Sequence, residues 1–206
     1  MKFMQKASTE ESGVINYQKL AAHRQTFHVL SVLIDYPTAD TFNSAHRQII
    51  SHDQELSKDN RQQLLKLFDQ LAQPSLLEQQ TDYTGLFEMN RRYTLYMSYY
   101  KMTDSRERGT VLAKLKMLYE MFGIAESTSE LSDYLPLMLE FLAIGDYLDD
   151  PRRKDLQLAL GVIEDGTYNL LQNAVADSEK PYIKLVKLIR TVVGLCVETE
   201  VKSDAQ

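Results

Sequence analysis

Tyrosine and arginine side chains are interspersed in one short stretch of this 206-residue chain, between Thr81 and Gly109. The residues concerned are Tyr83, Arg91, Arg92, Tyr93, Tyr96, Tyr99, Tyr100, Arg106 and Arg108. Aromatic rings beside arginines are typical of three structures: a surface on which nucleic-acid bases stack, a ligand or peptide groove, and a helix with a packed aromatic face.

The overall charge argues against a nucleic-acid surface. The chain has a formal net charge of −6 and a pI near 5.3, whereas nucleic-acid binding depends on a basic surface. Tyr93, Tyr96 and Tyr100 have the i, i+3, i+7 spacing of one helical face. This spacing favours tyrosines packed between helices and leaves a ligand or peptide groove open.

Groups that could perform catalysis or bind metal are few and scattered. The histidines are His23, His28, His46 and His52, and none are spaced i, i+4 to place two metal ligands on one helical face. Cys196 lies in an apolar run and is predicted to be a buried packing thiol. Since the sequence also has no phosphate-binding glycine loop and no nucleophile elbow, it gives little support to enzyme chemistry, and we expect no bound metal or cofactor.

The composition is typical of a soluble globular protein, with 44% hydrophobic and 25% charged residues. No apolar run approaches the roughly 20 residues of a membrane-spanning helix, and residues 1–13 lack the apolar core of a secretory signal. A single cysteine excludes an intramolecular disulfide. We therefore expect a cytoplasmic protein that does not insert into the membrane.

Helical periodicity extends along nearly the whole chain. No Asn-Gly or Asp-Gly turn joins two alternating apolar segments, and the prolines fall near predicted helix boundaries. We predict an all-α fold, a single-domain helical bundle of roughly eight to ten helices over residues 14–201. Flexible tails are expected at residues 1–13 and 202–206.

Approximate bounds can be given for the first predicted helix, and a later one has a defined start and end. The first should cover residues 15–35 approximately. A later helix can be capped by Asp104 or Ser105, and Gly123 suits the position just beyond its last turn.

Four segments, in order, resemble a known family. They are "LIDYPTADTF" at 33–42, "YTGLF" at 83–87, "DSRERG" at 104–109 and "ELSDYLPLMLEFL" at 130–142. Together they are similar to the assembly chaperones of respiratory nitrate reductase, the NarJ or delta-subunit family, within the wider group of redox-enzyme maturation chaperones. The likeness covers residues 29–145 approximately.

The resemblance implies an all-helical chaperone that is absent from the mature enzyme. Such a chaperone binds the catalytic subunit of a molybdoenzyme, including its N-terminal segment, in the cytoplasm. It holds that subunit competent for molybdenum cofactor insertion and delays its docking at the membrane. The resemblance implies no covalent reaction, and cofactor-delivery proteins are further candidate partners.

The same resemblance implies the client-binding residues. Those that we predict are Tyr83, Leu86, Phe87, Tyr96, Arg106, Arg108, Asp133, Tyr134 and Pro136. The family often has histidine where this chain has Tyr134, so a pH-sensitive imidazole is not expected there.

Two structural questions stay open for these residues. Tyr83, Leu86 and Phe87 have i, i+3, i+4 spacing, and their shared face is either sealed in the core or open to the client. Arg106 and Arg108 either border the client groove or form a salt bridge with Asp104 or Glu107 at the helix start.

Two other functions remain as alternatives. One is a maturation chaperone of another molybdoenzyme, such as a dimethyl sulfoxide or trimethylamine N-oxide reductase, although "DSRERG" favours the nitrate reductase branch. The other is a helical regulatory module that binds a small ligand. Binding of a peptide from the client's N-terminus, as opposed to a small molecule, would distinguish them.

Overall fold

The computed structural model describes residues 14–102, 105–125 and 129–198, and the chain forms nine α-helices within them. They are α1 (Tyr17–Ala22), α2 (Arg24–Ile34), α3 (Ser44–His52), α4 (Lys58–Ala72), α5 (Leu76–Tyr83), α6 (Ser105–Met121), α7 (Leu135–Ile144), α8 (Leu156–Asn173) and α9 (Pro181–Leu195). The prediction of an all-α bundle is confirmed. The predicted tails at 1–13 and 202–206 lie outside the described residues.

A short antiparallel pair of strands joins the beginning and the end of the described chain. Strand β1 (Val14–Ile15) lies beside β2 (Val197–Glu198), with Val14 opposite Glu198. Two residues on each side are too few to give a period-two pattern, so this pairing could not be predicted from sequence.

The centre of the bundle is an antiparallel pair, α2 and α7, which form the most extensive contact between two helices. Glu140 is exposed on α7, whereas most of the helix is buried, as expected for a helix that is apolar on almost all sides. Among the described residues, no helix combines the length and apolar character needed to cross a bilayer. The antiparallel packing brings the end of α2, at Asp35, beside the start of α7, at Tyr134.

The first predicted helix is divided into two. The chain bends at His23, which ends α1 and precedes α2. The bend leaves Leu20 and Phe27, on either side of it, fully buried. The His23 side chain is itself buried, and burial lowers its pKa.

The prediction that Tyr93, Tyr96 and Tyr100 lie on one face of a helix is wrong. After α5 the chain makes a π-helical turn at Thr84–Glu88 and then follows turns and a short 3-10 helix, Met97–Tyr99. The Tyr93 hydroxyl donates to Asp177 at 2.6 Å, whereas the Tyr100 hydroxyl donates to the carbonyl of Thr94 at 2.8 Å. The tyrosines therefore make separate tertiary contacts.

Two other local predictions agree with the structure. Gly123 follows α6 with φ of 80°, a left-handed conformation that glycine adopts easily. Cys196 is fully buried, and burial raises the pKa of its thiol to about 12. The candidate cap Asp104 lies outside the described residues.

Candidate functional site

A groove runs across the ends of α2, α5 and α7 and has two adjoining sections. The larger, of about 730 Å³, is lined mainly by rings and aliphatic side chains, and we call it the aromatic section. The smaller, of about 350 Å³, contains four carboxylates, and we call it the acidic section. Both sections share Glu88, Glu130 and Tyr134, so they form one continuous surface.

Residues from several elements line each section. The apolar and ring residues of the aromatic section are Tyr83, Phe87, Leu95, Tyr96, Tyr99, Leu131 and Tyr134. The acidic section contains Asp35, Glu88, Glu130 and Glu140, together with His28, Ser31, Val32, Tyr36, Tyr134, Pro136 and Leu137.

Tyr134 lies where the two sections meet. Its hydroxyl donates to Asp35 at 2.8 Å and accepts from the Tyr83 hydroxyl at 2.8 Å. Burial, followed by the neighbouring Tyr83 and Asp35, raises the pKa of Tyr134, so the phenol stays protonated. These two hydrogen bonds connect the end of α2, the end of α5 and the start of α7.

Tyr96 lines the aromatic section beside Tyr134, and the two ring centroids are 5.5 Å apart. Its hydroxyl donates to Glu130 at 2.6 Å, and burial, with this hydrogen bond, raises the pKa of Tyr96 to about 12. Two backbone hydrogen bonds, each 2.9 Å long, hold this part of the groove in place. Leu135 N–H donates to the carbonyl of Leu95, and Met97 N–H donates to the carbonyl of Asp133.

Asp133 lies beneath the groove and is fully buried. One of its carboxylate oxygens accepts hydrogen bonds from the Ser98 backbone N–H at 3.1 Å, the Ser98 hydroxyl at 2.5 Å and Arg108 at 3.3 Å. The Arg108 guanidinium also lies 6.0 Å from the centre of the Tyr99 ring. The buried carboxylate thus fixes the Met97–Tyr99 turn and the first turns of α6 against the segment before α7.

The structure brings together most of the residues predicted to bind a client. Tyr83, Phe87, Tyr96, Arg108 and Tyr134 line the aromatic section, and Pro136 lines the acidic section. Their client contacts stay a prediction.

Three predicted residues do not line the groove. Leu86 lies in the π-helical turn with its side chain buried in the core, and Asp133 is buried beneath the groove. Arg106 is exposed on α6 and lines neither section. The open question about Arg108 is also answered in part, because its partner is Asp133, which neither alternative named.

The acidic section was missed at the sequence level. Its carboxylates come from the end of α2, the π-helical turn, the loop before α7 and α7 itself. Asp35, Glu130 and Glu140 belong to segments that carry the resemblance, but no local pattern indicates that they meet one another or Glu88. No group of three or more metal-ligating side chains occurs in the part of the chain that the structure describes.

The groove exposes apolar surface as well as charge. Tyr99 and Leu131 are 43% and 41% exposed, and Tyr36 is 41% exposed at the other end. Exposed apolar side chains that line one concavity are typical of a surface that binds a segment of another protein. The arrangement is suited to binding a segment of another protein.

Comparisons with known proteins agree with this picture. A family model described as "nitrate reductase delta subunit" matches residues 53–173. A Bacillus subtilis protein described as a probable nitrate reductase molybdenum cofactor assembly chaperone is 35% identical over 122 residues, which are 59% of this chain and 66% of that protein. An Escherichia coli nitrate reductase molybdenum cofactor assembly chaperone is 30% identical over 117 residues, which are 56% of this chain and 50% of that protein. The matched region thus spans between half and two thirds of these relatives.

A solved structure has the same fold. It is a protein from Archaeoglobus fulgidus assigned as a redox enzyme maturation protein, with a TM-score of 0.58 and 16% sequence identity. The match covers 94% of this chain and 98% of that one.

Proposed function

The chain belongs to the nitrate reductase delta subunit family, and we propose that it is a maturation chaperone of a respiratory nitrate reductase. In this role it binds the catalytic subunit, including its N-terminal segment, in the cytoplasm. It holds that subunit competent for molybdenum cofactor insertion before membrane assembly, and it catalyses no covalent reaction. Cofactor-delivery proteins are further candidate partners.

The observation that carries this proposal is the groove with its exposed apolar lining. Tyr99 and Leu131 present apolar surface to solvent, while Tyr96 and Tyr134 form walls that hydrogen bonds hold in place. A client segment that covers such side chains gains ~1.5–3 kcal/mol for each residue that becomes well buried. Two or three anchors then give a dissociation constant on the order of micromolar after ordering costs, which suits a complex that must release its client.

The groove walls are preorganised, which lowers the cost of binding. The Tyr83–Tyr134–Asp35 hydrogen bonds and the buried Asp133–Ser98 contact fix the backbone on which the lining residues are placed. Most of the entropic cost of ordering on binding therefore falls on the client helix or extended segment, because the groove is already ordered.

Co-purification tests the proposal. The tagged chain is expressed in cells that make the nitrate reductase subunits, with molybdenum cofactor synthesis intact or blocked. We expect the catalytic subunit to co-purify, and in larger amount when cofactor synthesis is blocked. Recovery of a different molybdoenzyme subunit would instead indicate a dimethyl sulfoxide or trimethylamine N-oxide reductase chaperone.

A matched pair of variants connects the result to the groove. Tyr99→Ala removes a groove ring that is 43% exposed and lies near Arg108, whereas Tyr168→Ala removes a ring on α8 that is 50% exposed and lies near Arg190. We expect Tyr99→Ala to reduce recovery of the catalytic subunit and Tyr168→Ala to leave it unchanged. Equal recovery with both variants would show that the groove is not the client site.

A further inference from the structure

His23 lies buried at the bend between α1 and α2. Its side chain is 3% exposed, whereas His28 and His52 are exposed and His46 is half-buried. The imidazole ring packs edge-on against Phe27, with ring centroids 6.3 Å apart. Its Nδ1 atom is enclosed and has no hydrogen-bond partner in the described part of the chain. The site accommodates a neutral imidazole, whereas an imidazolium would leave a charged N–H donor at Nδ1 unpaired.

The charged side chains near this imidazole have opposing effects. Burial is the main cause that lowers the pKa of His23. The carboxylates of Asp53 and Glu55, in the loop after α3, raise this pKa but are outweighed, and the Lys19 ammonium on α1 lowers it further. The closed structure therefore disfavours an imidazolium here relative to water.

Two arginines near the bend have other partners. The Arg24 guanidinium donates to the carbonyl of Gly145, and Arg61 donates to the carbonyl of Asp53 at 2.5 Å. Since arginine keeps its charge at all ordinary pH values, neither side chain titrates with His23.

The segment before the bend, residues 14–22, is held to the bundle by few side chains. Leu20 is the buried residue of α1, and Ile15 is the buried residue of β1. The Arg153 guanidinium also lies 4.3 Å from the centre of the Tyr17 ring. A helix of six residues is not stable by itself in water. Local opening of this segment therefore costs less than unfolding of the whole bundle.

Cys196 lies against the same segment. Asn16 N–H donates to the carbonyl of Cys196 at 2.8 Å. Burial raises the pKa of the thiol to about 12, and the nearby Lys19 ammonium opposes this rise. Because the chain has a single cysteine, opening of the segment would uncover one thiol that a reagent can detect.

We propose that His23 is an acid-sensitive hinge, whose protonation releases residues 14–22 from the bundle and uncovers Cys196. In the released state the imidazolium is in water, whereas in the closed state it is enclosed. The closed state is fully stable above the ordinary pKa of histidine, near pH 6.5, and loses stability as the pH falls below it. The released fraction then rises by up to about tenfold per pH unit, down to the pKa of His23 in the closed state.

The hinge is at the start of α2, whereas the groove is at the end of that helix. The inference therefore goes beyond the proposed chaperone function and does not depend on it.

The first test measures how fast the disulfide reagent dithiodipyridine modifies Cys196 in the full chain. The rate is divided by that of free cysteine at the same pH, which removes the pH dependence of the reagent. We expect this ratio to rise about tenfold from about pH 7.5 to about pH 5.5, with helical circular dichroism unchanged. An unchanged ratio would overturn the proposal, and so would a rise that accompanies loss of helicity, because the whole bundle would then be unfolding.

A matched pair of substitutions assigns the response. His23→Gln keeps a polar side chain that does not titrate in this range, so it should remove the pH dependence. His52→Gln makes the same change at an exposed position on α3 and should keep it. A pH dependence that survives His23→Gln would assign it to another group and contradict the proposal.

Hydrogen exchange on the unaltered chain gives a second measurement that needs no substitution. The amides of Leu20 and His23 donate to the carbonyls of Asn16 and Lys19. After correction for intrinsic exchange, they should lose protection at about pH 5.5 while the amides of α8 keep theirs. Unchanged protection at α1, or an equal loss throughout α8, would show that no hinge opens at His23.

Discussion

Arg106 and Arg108 are two residues apart on α6 and have very different surroundings. Arg108 donates to the fully buried carboxylate of Asp133, whereas Arg106 is exposed. In Arg108→Ala a buried carboxylate loses its cationic partner, so we expect the free energy of unfolding to fall by about 1–3 kcal/mol. Urea denaturation would measure this loss.

Arg106→Ala is the control, and we expect a change within about 1 kcal/mol because surface charge interactions contribute little. Equal stability of the two variants would show that the Asp133–Arg108 contact contributes nothing.

Phe87 and Tyr99 both line the groove but differ in burial. Phe87 is buried and packs edge-on against Tyr83 and Tyr182, with ring centroids 5.1 and 5.5 Å apart. Truncation of Phe87 to alanine should cost about 3–5 kcal/mol of folding stability, whereas Tyr99→Ala should cost much less. Thermal unfolding of the two variants would show which side chain supports the folded structure of the groove and which is only exposed on its surface.

Single residues were only partly predictable from the sequence, for a physical reason. Tyr83 and Tyr134 lie in segments whose spacing and resemblance singled them out, so they could be placed at one site. Glu88 and Glu140 could not, because isolated glutamates on exposed helical positions look the same whether they face open solvent or a groove. They line the same section only because the folded chain places the π-helical turn, which contains Glu88, beside α7, which contains Glu140.

At the scale of elements, α8 approaches the Met97–Tyr99 turn closely at a glycine. A methyl group on Gly166 would lie 2.6 Å from the Cβ of Met97 and 2.7 Å from its Cα. Since backbone would have to move, we expect Gly166→Ala to destabilise the protein by about 1–3 kcal/mol. Chemical denaturation would measure the change.

Gly161 on the same helix provides the matched control, because a methyl group there meets nothing within 4 Å. Gly161→Ala should stabilise the protein by up to about 1 kcal/mol, since alanine has the higher helix propensity. If both substitutions changed stability in the same direction, the close approach of α8 to this turn would be in doubt.

Elements that depend on local sequence were predictable, and those that depend on distant contacts were not. Helix α4 has apolar residues at helical spacing and a Ser57 cap, and α6 ends before Gly123. The turns after α5 look helical by tyrosine spacing alone. They are set instead by tertiary partners such as Asp177 for Tyr93 and Glu130 for Tyr96, which lie far along the chain.

For the whole molecule, the buried tyrosines predict a loss of stability in alkali. Burial raises the pKa of both Tyr96 and Tyr147 to about 12, and it also raises the pKa of Tyr83, Tyr134 and Tyr182. Above about pH 10 the unfolded chain releases these protons while the folded chain keeps them. Each proton that a buried tyrosine retains then lowers the free energy of unfolding by about 1.4 kcal/mol per pH unit, up to the folded pKa. The half-buried Tyr96 contributes less, because solvent screens its charge.

Denaturant titrations between about pH 9 and about pH 12, together with tyrosinate absorbance, would test this. Some tyrosines should ionise in the native state, and the buried ones only as helical circular dichroism is lost. Ionisation of all tyrosines near pH 10 with helicity intact would contradict the predicted burial.

The pairing of β1 with β2 places the first and last described residues side by side, with Val14 opposite Glu198. Paired strands lie only about 5 Å apart, so the described chain is nearly a closed ring. A short linker between these two points would allow the protein to be circularly permuted, with new termini opened in an exposed loop such as the one before α8. Because the strand pair already holds the two former ends together, the permuted protein should fold with the same groove.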